Sequence, residues 1–320
     1  MGQSPSTFGG GKMKTKSTWQ RFKDSYILYS FFRDPVAIIS CVILVTLTIV
    51  AFTAPVSAPY DPYDTSSISI LDAELPPVWM DGGDTNFLLG TDDQGRDLLS
   101  TMIYGMRVSI IIGLCAVALQ AVLGVIIGLV AGYFGGKLDS FFMRLADVQL
   151  SFSYLMVAIF VSAVLQAAIG VGRFEEIAVP FLIVVIGLAQ WPQYARTVRA
   201  SVLAEKKKEY VEASRVIGLR SNRIMWRHIL PNCLSPIFVL STIQVANAIM
   251  SEAALSFLGL GMPPHKPSLG SLINIGFEYM LSGSWWITAF PGFLLVVLIL
   301  VINLLGDWLR DVLNPKLYKG

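Results

Sequence analysis

Charge is scarce in this chain: 14% of its 320 residues are charged and 54% are hydrophobic, with a mean hydropathy of +0.62. Such a composition cannot coat a soluble domain with an ordinary polar surface, so it places the chain in a membrane. Histidine and cysteine are nearly missing too. His228 and His265 have no carboxylate or cysteine at ligand spacing, and Cys41, Cys115 and Cys233 form no CxxC pair, which excludes a resident metal centre and a disulfide framework. The nearest approach to a phosphate-binding loop, Gly9-Gly10-Gly11-Lys12, has Ser6 in place of its first glycine and Met13 in place of the required Ser/Thr. Ser256 lacks a nucleophile elbow, and an EF-hand begun at Asp92 would put Asp97 where glycine is required. No catalytic residue, bound metal or cofactor, and no nucleic-acid partner, is expected.

What the chain does have is apolar runs. A hydrocarbon core of roughly 30 Å needs about 20 helical residues, and six segments reach or approach that length: 36–52, 108–133, 150–170, 177–191, 234–255 and 286–305. The fourth is short unless it continues past Pro192, and the fifth carries Gln244, Asn247 and Glu252. Both are therefore expected to face protein or water more than lipid. Gly124, Gly128 and Gly132 recur every fourth residue on the second span, which marks close helix packing.

Loop charge sets the sidedness. The leader carries Lys12, Lys14, Lys16, Arg21 and Lys23, whereas residues 54–100 hold Arg96 alone against nine acids. By the positive-inside rule the first span runs outward, and its late start near Val36 reads as a retained span rather than a signal peptide. Lys137 and Arg144 mark an inside loop, Arg173 with Glu175 and Glu176 an outside one, and nine basic residues of 196–227 an inside one. Lys266 falls before the last span, and Arg310, Lys316 and Lys319 close the chain inside. The expectation is an all-α membrane protein of six transmembrane helices with both termini cytoplasmic. Residues 1–35 form a partly disordered leader, 36–100 the first helix and an irregular outer loop, and 101–315 the main transmembrane domain, with a polar loop at 201–232.

That loop, richest at 209–232, is a polar, basic insert in an otherwise apolar chain. Residues 201–217 predict a helix with Tyr210, Ala213, Ser214 and Ile217 on one face. Gly218 ends it, Ser221 caps a second short helix over 222–229, and Pro231 keeps that helix from running on into the next span. Two short helices at a glycine corner make a knob, fitted either to a partner protein or, through Lys206-Lys207-Lys208, to anionic lipid. Two further clusters each leave two readings. Asp92, Arg96 and Asp97 form either a self-held turn at the outer rim or a contact for a partner protein outside the membrane. Glu252 either lines a path with Gln244 and Asn247 or pairs locally at the outer membrane surface.

The insert resembles the cytoplasmic EAA loop of the integral membrane subunits of bacterial ABC importers, through Glu212-Ala213-Ser214, Gly218 and Leu230-Pro231 at the expected separations. Ser214 in the second alanine position and His228 in place of isoleucine are its departures. Gly90-Thr91-Asp92, Gly95-Arg96-Asp97, Tyr104-Gly105-Met106-Arg107-Val108-Ser109, Leu255-Ser256-Phe257-Leu258-Gly259-Leu260-Gly261 and Pro267-Ser268-Leu269-Gly270 extend the likeness to the dipeptide/oligopeptide/nickel permeases. Phe31-Phe32-Arg33-Asp34-Pro35 is similar to their C-type subunit. The resemblance implies the type I ABC importer transmembrane fold with cytoplasmic coupling helices. It also implies ATPase docking through Glu209, Tyr210, Glu212, Ala213, Ser214, Arg215, Gly218, Leu219, Leu230 and Pro231. Implied partners are a homologous B-type permease, two ATP-binding subunits carrying ATP and Mg, and a periplasmic or lipoprotein solute-binding protein. Implied cargo is short peptides, alternatively a nickel chelate or other small solute. A self-contained secondary transporter is the alternative class.

Overall fold

The computed structural model describes residues 26–64 and 68–313. The basic leader before residue 26, with the disorder expected there, and Lys316 and Lys319 lie outside them. Among the described residues the chain is helical, with one isolated antiparallel bridge, Thr91 to Asp97. A short helix α1 (Tyr26–Arg33) leads into α2 (Pro35–Phe52), which starts sharply because Asp34 accepts from the Val36 and Ala37 amides and Pro35 sits where no donor is needed. Then follow α3 (Leu98–Phe134), α4 (Gly136–Ser151), α5 (Tyr154–Ile169), α6 (Val171–Glu176), α7 (Ala178–Glu205), α8 (Glu209–Val216), α9 (Leu234–Phe257), α10 (Leu269–Tyr279) and α11 (Trp286–Leu313).

Five helical courses are long and apolar enough to cross a membrane: α2, α3, α7, the run Ser221–Phe257 that contains α9, and α11. The sixth expected span is broken. Helices α4 and α5 qualify only as a pair, and they meet at an 82° bend. The straight span expected over 150–170 is thereby corrected, because α5 alone, at 16 residues, reaches about 24 Å and falls short of the roughly 30 Å core. The bend has a cause on the α4 side, which α7 holds: Arg199 Nη2 donates to Asp139 at 2.6 Å, and Arg196 pairs with Asp147.

Helix α7 continues through Pro192 to Glu205, well past the short span seen in sequence. A proline inside a helix leaves the carbonyl four residues back without its donor. Here Gln149 of α4 supplies one: its Nε2 donates to Leu188 O and to Ala189 O, the latter at 3.1 Å, while its Oε1 accepts from Trp191 Nε1 at 2.8 Å. The freed backbone is satisfied by a neighbouring helix, as an apolar membrane interior demands.

The core is built on the α3–α7 contact, the most extensive between helices in the molecule. Gly124, Gly128 and Gly132 bring the backbones together there: a Cβ on Gly124 would stand 2.2 Å from Tyr194 Cβ, and one on Gly128 2.5 Å from Ala195 O. A second apolar cluster of Ala51, Met106, Ile110, Ile249, Leu298 and Ile302 ties α2 and α11 to α3 and α9.

Candidate coupling knob and polar path

The helix expected over 201–217 is two helices. α7 stops at Glu205, and Lys208 turns extended, φ −78° and ψ 147°, before α8 begins. The Glu205 carboxylate organises this corner, accepting from Lys208 Nζ and, at 2.7 Å, from Tyr210 OH. Lys206 Nζ donates to Gly132 O at 2.7 Å, at the end of α3. Two of the three lysines thus have partners within the chain, while Lys207 and Lys208 are both exposed.

The buried face of α8 also differs from the expected one. Val211 and Ser214, three residues apart, pack inward, while Val216 is 88% and Ile217 77% exposed. Ala213, Glu209 and Glu212 are exposed with them. Tyr210 OH joins two elements: it donates to Glu205 and accepts from Asn232 Nδ2, which also donates to His228 O at 2.8 Å. Desolvation and the Glu205 carboxylate push this phenol up to about 12, so it remains a donor. Arg215 lies over the Tyr133 ring at 5.3 Å.

Gly218, at φ +79°, ends α8 in a Schellman turn: its N–H donates to Arg215 O at 2.9 Å, and Leu219 N–H to Ser214 O at 3.1 Å. Leu219 then packs on the main core, as does Leu230, while Pro231 is exposed. Ser221 is the first helical residue and makes no side-chain cap; the N-cap is Arg220. Pro231 does not interrupt the helix either. Met225–Ile229 widens into a π turn and Leu230–Cys233 tightens into a 3₁₀ turn, which accommodate the missing donor, so the helical course is unbroken from Ser221 to Phe257. The knob is therefore fixed to α7 through the Glu205 corner and is continuous with α9.

Those two helices carry a polar ladder. Gln193 Nε2 donates to Gln190 Oε1 at 3.0 Å, Gln244 Nε2 reaches the same oxygen at 3.4 Å, and Asn247 Nδ2 donates to Gln244 Oε1 at 2.8 Å. Gln193 and Asn247 are exposed and Gln244 is buried. Sequence reading missed Gln190 and Gln193, although two glutamines flanking Trp191-Pro192 at helical spacing were the available signal.

Glu252 stands apart from this ladder. Five residues after Asn247 is about 140° around the helix, and its carboxylate is fully buried between α3, α9 and the start of α10. It accepts from Ser109 Oγ and Ser256 Oγ, both at 2.7 Å. Replacing it by leucine would strand both hydroxyls at about 1–3 kcal/mol each, whereas glutamine keeps an acceptor. We expect Glu252→Leu to lower the thermal unfolding midpoint in detergent clearly and Glu252→Gln only slightly. A leucine variant as stable as the parent would contradict this tie.

At the rim, Asp92, Arg96 and Asp97 are all buried and serve the fold in this conformation. Arg96 Nε donates to Asp92 at 2.6 Å and Nη1 to Pro264 O at 3.0 Å, pinning the outer segment to the turn after α9. Asp97 accepts from Ser100 N at 2.8 Å and so caps α3. Burial pushes the Asp97 carboxyl up, and the Ser100 hydrogen bonds pull it partly back.

A bundle of helices long and apolar enough to span a membrane, with a polar ladder midway along two of them and a short exposed helix between those two, is the architecture of a polytopic membrane protein. The chain belongs to the family of binding-protein-dependent transport system inner membrane components, which it matches over residues 124–319, and residues 15–77 match the N-terminal TM domain of oligopeptide transport permease C. It is 36% identical to the dipeptide transport system permease protein DppC of Haemophilus influenzae over 99% of both chains. It is 37% identical to the di/tripeptide transport system permease protein DppC of Pseudomonas aeruginosa over 90% of each, and 39% identical to the dipeptide permease DppC of Escherichia coli over 90% of this chain and 91% of that one. Its fold is similar to that in an inward-facing structure of the MetNI methionine ABC transporter, with a TM-score of 0.53 at 20% identity, covering 68% of this chain and 98% of that one.

Proposed function

We propose that this chain is one transmembrane half of an ATP-driven importer of short peptides in a bacterial inner membrane, and that it hydrolyses nothing itself. A second, homologous permease subunit completes the path, ATP-binding subunits dock on α8, and a solute-binding protein delivers cargo outside. The observation that carries this reading is the mechanical continuity of the knob. α8 exposes Val216 and Ile217 to a partner, yet it is tied to α7 through Glu205 and to α9 through Ser221–Phe257. Closure of the ATP-binding subunits would pull the knob, and α7 and α9 would turn with it. The ladder Gln193, Gln190, Gln244 and Asn247 would then be re-aimed along the path, as alternating access requires. Peptide backbones are amides, and a row of side-chain amides can exchange hydrogen bonds with them without selecting any side chain.

The test is uptake of a labelled dipeptide into proteoliposomes holding the full complex. Val216→Asp with Ile217→Asp should cut ATP-driven uptake at least about tenfold, since desolvated apolar anchors dominate docking energies, while the two permeases still copurify. Uptake that persists in vesicles lacking the ATP-binding subunits would overturn the reading.

A further inference from the structure

On the side of the molecule away from the ladder, four helices border a crevice of about 290 Å³. Leu44 and Thr48 of α2, Ile110 and Leu114 of α3, Ile249 of α9 and Leu298 of α11 are among its walls. Ile249 stands five residues from Gln244, about 140° around the helix, so the crevice faces away from the ladder. It also lies at mid-depth. Thr242 and Ile249, which bound it on α9, are each eight residues, or about 12 Å, from an end of that helix.

Water gains little in such a place. The two hydroxyls on its walls, Thr48 and Thr242, already donate to Leu44 O at 2.7 Å and Val239 O at 2.8 Å on their own helices, and every other wall residue is aliphatic. A buried water needs about 2–4 polar partners, and apolar cavities of about 150 Å³ stay dry and take up small hydrocarbons. This crevice is larger, and Leu114 at its wall is 48% exposed, so it opens to the outside of the bundle at the depth of lipid tails. A cation marks its outer end. Arg107 comes three residues before Ile110 and seven before Leu114, on one strip of α3, and Phe52 comes four after Thr48, on one strip of α2. The two strips meet where α2 ends: Arg107 Cζ lies 6.0 Å from the Phe52 ring centroid. Arg107 is half-buried and has no carboxylate at ion-pair distance among the described residues. An arginine at the edge of the hydrocarbon is costly unless an anion or water meets it, and its guanidinium fork matches the oxygens of a phosphate.

We propose that Arg107 and the crevice beneath it hold one glycerophospholipid, its phosphate on the guanidinium and one acyl chain running past Thr48, Ile110 and Leu114 toward Thr242. A phosphate and a long apolar chain on one molecule are what the two parts of the site require together. The bound lipid joins α2 to α3, α9 and α11, so it acts as part of the packing of the first span. The site stands on the chain's place in a bilayer and is independent of what docks on α8.

The experiment uses the full-length chain, coexpressed with its partner subunits, purified in mild detergent, stripped of lipid and titrated with phosphatidylglycerol or with diacylglycerol, which lacks the phosphate. Native mass spectrometry reads the occupancy. Wild type should hold one phosphatidylglycerol that survives detergent exchange, and diacylglycerol should bind roughly tenfold more weakly. Arg107→Gln should bind phosphatidylglycerol roughly tenfold more weakly than wild type, and Arg107→Lys should recover part of that loss. Leu114→Trp, which fills the crevice and leaves Arg107 in place, should abolish retention of either lipid and carries the test if Arg107→Gln does not fold. Val122→Trp is the control: Val122 is on the same helix, outside the crevice and 56% exposed, and its variant should bind like wild type. Equal occupancy in wild type, Arg107→Gln and Leu114→Trp would overturn the proposal. So would a Leu114→Cys variant that crosslinks in membranes to a partner subunit, since that would give the crevice to a protein helix.

Discussion

Arg96→Ala should cost about 3–5 kcal/mol and loosen the outer segment, because it removes one member of a buried ion pair and leaves the other charged and enclosed. Asp92 is fully buried, and its partner is 3% exposed. The backbone amides of Gln94 and Arg96 on Asp92 Oδ1 would remain, at 3.0 and 2.9 Å, but Oδ2 would lose its cation. The same change deletes the donor to Pro264 O, so residues 68–97 would lose a tie to the turn after α9. A lower unfolding midpoint, together with protease cleavage of 54–97 at doses the parent resists, is the expected result. Arg96→Lys should fall between, since an ammonium holds Asp92 without spanning to both acceptors. An alanine variant that unfolds and is cut like the parent would remove the rim from the account of stability.

The sequence exposed some of this architecture and hid the rest for physical reasons. Apolar runs and loop charge located the spans, since hydropathy is a local property, and Gly218 announced its turn because few other residues adopt a left-handed φ. The continuation of α7 through Pro192 was not legible. Its compensation comes from Gln149, on another helix, and neither residue announces the other. The break between α4 and α5 is hidden likewise, because the ion pairs that hold α4 join Asp139 to Arg199 and Asp147 to Arg196, 60 and 49 residues apart in the chain. The phase of α8 was misjudged for a different reason. Ile217 is apolar, so hydropathy alone points it inward, yet it is 77% exposed while Val211 and Ser214 pack inward. Glu252 and Asn247 looked like neighbours on one face, but their five-residue spacing sends one into the core and the other to the surface.

Gly128→Leu should leave little folded protein, and the reason bears on transport as well as on stability. A Cβ at Gly128 would lie 2.5 Å from Ala195 O and 2.8 Å from Val198 Cβ, with Gly132 one turn on at 2.9 Å from Val202 Cβ. The obstacle at Gly128 includes α7 backbone, which no rotamer change can move, so α3 and α7 must separate. Overpacking of this kind costs about 1–3 kcal/mol for small excess volumes, and a leucine at a helix contact this close exceeds them. Separation would also shift the Lys206 contact with Gly132 and the Glu205 corner, which hold α8 in place. Gly128→Ala carries the same Cβ and should therefore lower both the unfolding midpoint and uptake, less severely than leucine. Gly172→Ala is the control, since nothing lies within 4 Å of the added carbon, and it should change stability by no more than about 0.5 kcal/mol. If Gly128→Leu and Gly172→Ala behave alike in unfolding and uptake, then α3 and α7 do not pack backbone to backbone, and the lever from knob to path loses its fulcrum.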